Sequence, residues 1–101
     1  MVDGMESTTI DFGDGNGEVA VYYKRRNLDQ MDKVLQAQDK GHVEMLVTTL
    51  QTRCLTEHGS LMFSEADKRR IRKDFDPIAV IKMNNILREF DAKAEGEMSG
   101  K

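Results

Sequence analysis

Cysteine occurs once in these 101 residues, proline once, and tryptophan not at all. A single thiol, Cys54, excludes an internal disulfide. Its place on an apolar helical face points to a buried core thiol in a reducing compartment. Aromatic residues are few, four Phe and two Tyr against seven Met. Met is flexible, so such a chain has either an adaptable apolar surface or, more simply, Met as core filler. Positive charge is not in excess either. The formal net charge of −3 excludes the strongly basic balance expected of a simple nucleic-acid binder. No apolar run approaches the ~20 residues that a membrane helix requires. The opening MVDGMESTT lacks the basic and apolar regions of a secretion signal, so a soluble, cytoplasmic protein is expected.

What is present is organised around Val43 to Asp67. Val43, Leu46, Val47, Leu50 and Cys54 recur at spacings of three and four, which predicts a helix from about His42 to Thr56. Gly59 is expected to close it in a left-handed conformation. Leu61, Met62 and Phe63 then return as a compact apolar cluster. Ser64 follows as an N-cap, with Asp67 in the position of a capping-box acid.

Upstream, Gly13 to Gly17 is a dense turn signal between two β-prone runs, predicting a hairpin with strands near 8–12 and 18–25. A lone hairpin is marginal in water, so it must pack on helices or pair with another chain. Asn27 is a good N-cap for a helix carrying Leu28, Met31, Val34 and Leu35 to about Gln38. After Ser64 comes a short charged helix, Glu65 to about Lys73, with Ile71 as its main apolar contact. Asp76 caps a last helix in which Pro77 takes the first position. That helix is predicted to reach about Ala94, with Ile78, Ile81, Met83, Ile86, Leu87 and Phe90 apolar. The set covers more than one face, so the helix is either deeply buried or shared with a partner. The expected fold is α+β and mostly helical, an N-terminal hairpin followed by about four helices. A single domain over 8–94 lies between flexible ends at 1–7 and 95–101. Leu46, Leu50, Phe63, Ile81 and Leu87 are the expected core.

Catalytic and metal chemistry finds little to work with. The run Asp11 to Glu18 fails as a calcium loop: aligned on Gly17, it puts Phe12 and Tyr23 where a carboxylate must stand. His42 and His58 have no further ligands at zinc spacing. Cys54, on a face expected to be buried, is a poor candidate thiolate. The glycines sit in a hairpin rather than between a strand and a helix, so no phosphate loop is formed. Neither an enzyme nor a cofactor is expected. Two basic clusters remain, Lys24 to Arg26 and Lys68 to Lys73. Acidic residues bracket the second, which reads best as a solvated face or a contact to an acidic partner.

The assembled order of parts resembles the tail assembly chaperones of long-tailed bacteriophages. The residues carrying the resemblance are the helix ending Arg53-Cys54-Leu55, the segment from Glu57 through Leu61-Met62-Phe63-Ser64-Glu65-Ala66-Asp67, and Asp76-Pro77 opening the terminal helix. It spans roughly 19–92. The basic helix after Asp67 and the Phe90-Asp91-Ala92-Lys93 ending depart from the family pattern. The resemblance implies a non-enzymatic chaperone of the host cytoplasm, absent from the mature virion. It would bind the tape measure protein and help recruit tail tube protein.

Surplus apolar residues on the last helix, and a hairpin needing a neighbour, point to a homo-oligomer. The expected partner-binding residues are Met83, Ile86 and Phe90, with Arg70 and Arg72 on the rim. The rival reading is a small nucleic-acid-binding regulator using the basic 68–73 helix.

Overall fold

Three glycines in five residues, each with positive φ, turn the chain between its first two strands. In the computed structural model, which describes residues 4–99 and side chains through 96, β1 (Glu6–Asp11) pairs antiparallel with β2 (Glu18–Tyr23). The register runs from Asp11↔Glu18 beside the turn back to Glu6↔Tyr23. Pairing therefore begins two residues before the predicted strand, and Met5 ahead of it is buried. Of the ends expected to be flexible, residues 1–3 and 100–101 lie outside the described residues. The inner parts, 4–7 and 95–99, instead join the strand region and the last helix. Alternation does its usual work in β2: Val21 and Tyr23 face inward and are buried.

Four helices follow. α1 (Leu28–Lys40) starts at a reciprocal box: the Gln30 amide donates to Asn27 Oδ1 and the Asn27 amide to Gln30 Oε1, both at 2.9 Å. Gly41 alone separates it from α2 (His42–Arg53), which folds back along it. α2 ends at Arg53, three residues earlier than the apolar spacing predicts. The reason is tertiary. Cys54 turns extended so that Leu55 can exchange backbone bonds with Tyr22, at 3.0 and 2.8 Å, on the open edge of β2. Gly59, φ 83°, therefore shapes the Thr56–Gly59 turn that brings Leu61 back beside Leu55, and caps no helix. The hairpin's missing neighbour is thus supplied by its own chain.

A 3-10 turn over Glu65–Asp67 leads into α3 (Lys68–Asp74). The Ser64 amide donates to Asp67 Oδ2 at 2.8 Å, which holds that carboxyl below its usual range as part of the expected capping box. α4 (Pro77–Ser99) is longer than predicted. Asp76 starts it: its Oδ1 accepts from the Ile78 amide at 2.9 Å, and its own amide donates to the Phe12 carbonyl at 2.7 Å. Gly13 passes so close that an added Cβ would lie 2.9 Å from the Asp76 Cβ. Asp76→Ala should cost about 1 kcal/mol through the lost cap, read by urea unfolding. An unchanged midpoint would show that the cap contributes nothing.

The core lies where hairpin, α2, α3 and α4 meet. Phe12 stacks on Phe75 at 4.7 Å, with Phe63 edge-on to both. Val21, Leu50, Cys54, Ile71, Met83 and Leu87 are completely or almost completely buried. Leu50, Phe63 and Leu87 are where the sequence places them, and Leu46 packs against the core half-buried. Ile81 is not: it is 47% exposed. α4 turns Ala79, Val80, Met83, Asn84 and Leu87 inward, a phase that leaves Ile78 and Ile81 outside.

Candidate helix-binding groove

The five residues expected to contact a partner do not form one surface. Met83 is fully buried, which removes it from any partner contact. Ile86 and Phe90 are half-buried, and the Phe90 ring meets Tyr23 edge-on at 5.2 Å. The wide apolar perimeter of α4 has a simple cause: the helix lies against β1 on one side and α2 on another. Arg70 lies over the rings of Phe63 and Phe75, 5.8 and 5.3 Å from their centroids, and pairs with Asp14 at 3.3 Å. Arg72 bonds Glu44, which Lys68 also reaches. That bond from Arg72 is the first cause of Glu44's lowered pKa. Both arginines tie elements of the fold together, and neither is free to make a rim.

Three of the cations of the basic helix are thereby neutralised within the molecule. The Cys54 thiol is fully buried, and desolvation pushes its pKa up to about 12, so it carries no thiolate near neutral pH. Among the described residues no group of three or more His, Cys, Asp or Glu stands close enough to hold a metal ion. No helix of the described residues is long and apolar enough to cross a membrane.

A concave surface lies elsewhere, between α1 and α4. α2 forms its floor, and the groove encloses about 480 Å³. Its apolar lining comes from Met31, Val34 and Leu35 on α1, Met45 on α2, and Leu87 and Ala92 on α4. α1 reaches the rest of the fold by lying along α2, with Ala37 as its buried contact and Gln30 Nε2 bonded to the Thr52 carbonyl at 2.8 Å. This leaves Leu35 59% exposed beside the groove and Leu28 81% exposed at the head of the helix.

The floor helix α2 and the wall helix α4 are held in register by two contacts. Asn84 Nδ2 donates to the Leu46 carbonyl at 3.2 Å, and Arg53 bonds Asp91. Both pairs are separated by 38 positions, so α2 and α4 run parallel. At one end of the groove stands a ladder of charge. Arg53 grips both oxygens of Asp91 at 2.7 and 2.8 Å and also donates to the Lys24 carbonyl. Arg26 bonds both oxygens of Glu95 at 2.7 and 2.9 Å, which holds that carboxyl below its usual range. Further along, Arg88 is exposed and has no ion-pair partner among the described residues.

No family model, curated protein or solved structure matches this chain.

The sequence places the α1 stripe correctly but gives no groove, because periodicity shows that a face is apolar and not what covers it. One signal was present: α1 carries Leu28, Met31, Val34 and Leu35 but is only thirteen residues long, more apolar surface than one neighbouring helix covers. Arg88 has no such signal, since an exposed arginine looks alike in sequence whether paired or free.

Proposed function

We propose that this chain is a non-enzymatic tail assembly chaperone that holds a helical segment of the tape measure protein during virion tail assembly. In this reading it acts in the host cytoplasm, helps recruit tail tube subunits and is absent from the finished particle. The carrying observation is the open groove between α1 and α4, apolar at its centre and bounded by charge. Helical clients lay an apolar face into such grooves. The resemblance of the Cys54 to Asp67 segment to the chaperone family supplies the client's identity. Self-association, expected from the apolar surplus of the last helix, has Ile78 and Ile81 as its outward apolar residues on α4.

The competing nucleic-acid reading loses ground, because Lys68, Arg70 and Arg72 all pair with carboxylates of this chain. One titration separates the two readings. Binding of a tape measure fragment, followed by anisotropy at low and high salt, is expected to change little with salt and to weaken with Leu35→Asp. No binding of the fragment, together with binding to arbitrary duplex DNA that falls steeply with salt, would overturn the proposal.

A further inference from the structure

The walls of the groove restrict the occupant's backbone as well as its side chains. All three walls are helices, whose backbone groups bond within their own segments. An extended peptide laid there would find no ladder partners for its amides and carbonyls, and unmade backbone bonds are costly to bury. A helix brings its own bonds with it. The lining positions on α4 run from Asn84 to Glu95, about 17 Å at the helical rise, which matches roughly three turns of a guest. Met31 and Met45 give the apolar lining some freedom to adapt to the guest's side chains.

Charge narrows the guest further. Both acids that line the groove are engaged, Asp91 with Arg53 and Glu95 with Arg26. The Thr49 hydroxyl already donates to the Met45 carbonyl at 2.9 Å. Arg88 is the lining cation that no carboxylate of the described residues meets. A carboxylate set beside the guest's apolar stripe would meet Arg88 at the margin of an apolar surface, where the guest's own bulk displaces water and strengthens the pair.

Resting on the chaperone reading for the use of this groove, we infer that the groove selects an amphipathic helix of about three turns bearing a carboxylate next to its apolar stripe, and that Arg88 is the specificity-determining residue that receives it.

Three synthetic helical peptides with one shared Leu/Met stripe test this, carrying Glu, Gln or Lys at the flanking position. The wild-type chain should bind them in the order Glu, Gln, Lys, with about tenfold between the first and last. Arg88→Glu should reverse that order, and Leu35→Asp should weaken all three. Circular dichroism checks that each variant is folded, and both substitutions are at exposed positions. Equal affinity for the Glu and Lys peptides, an order that Arg88→Glu leaves unchanged, or no binding of any peptide would overturn the inference.

A tape measure fragment in the same assay keeps the two ideas apart. If it binds wild type and Arg88→Glu equally well, the chaperone reading stands and the carboxylate rule falls. If the fragment is ignored while the Glu peptide is held with the expected charge preference, the rule stands and the client was misassigned.

Discussion

Truncating Leu50 to Ala is expected to destabilise the fold by about 2–5 kcal/mol, toward the upper part of the range. Leu50 is fully buried, in the last turn of α2, the helix that both packs against α4 and bears α1. Removing its branched end forfeits the transfer energy of those carbons and leaves a cavity within the core cluster that Leu50 shares with Val21, Val47 and Met83. Such a site collapses poorly when the surrounding elements are pinned by hydrogen bonds and rings. For a domain whose total stability is on the order of 5–15 kcal/mol, this is a large fraction. Denaturant unfolding at equilibrium measures it through the midpoint at constant slope. A loss below ~0.5 kcal/mol, the range of exposed positions, would mean that α2 is rotated from the described phase.

Asp91→Ala is expected to cost about 3–5 kcal/mol, more than the deletion of a surface charge. Arg53 is only 4% exposed, and two of its nitrogens end on Asp91. Without that carboxylate a guanidinium remains buried with the Lys24 carbonyl as its one remaining partner among the described residues. The cost therefore comes mainly from the stranded cation. Replacing both partners, Arg53→Met with Asp91→Leu, should recover most of the loss, since apolar groups of similar volume leave no charge behind. If the double variant is as unstable as Asp91→Ala alone, the penalty does not come from an unpaired Arg53, and the pair's role has been misread.

The two positions differ in how readable they were. Leu50 falls on an apolar stripe whose spacing marks it as inward. Asp91 falls in a polar stretch near the end of α4 and Arg53 at the end of α2, 38 residues earlier. Nothing local links them. The same holds for Asn84, a buried polar residue that bonds Leu46 across the helix pair. On α4 the apolar residues nearly encircle the helix, so spacing alone could not choose among Ile78, Ile81, Met83 and Phe90. Contact with β1 and α2 turned Met83 inward, left Phe90 beside Tyr23 and put Ile81 outside.

The sequence by itself determined the order of the elements and the starts of the helical segments. Turns and caps are built from neighbours: the glycines after Asp11 and the boxes at Asn27 and Ser64 act within a few residues, and so does the Asp76-Pro77 start. Each satisfies backbone groups that no distant part of the chain has to reach. Three things were left to the tertiary structure. It ended α2 at Arg53, because Leu55 was needed on the edge of β2. It bound Arg70 and Arg72 to distant carboxylates. It also stood α1 apart from α4, and that turned a stripe of ordinary core residues into the wall of a groove. These outcomes depend on which faces meet, and burial is a property of the meeting rather than of either face.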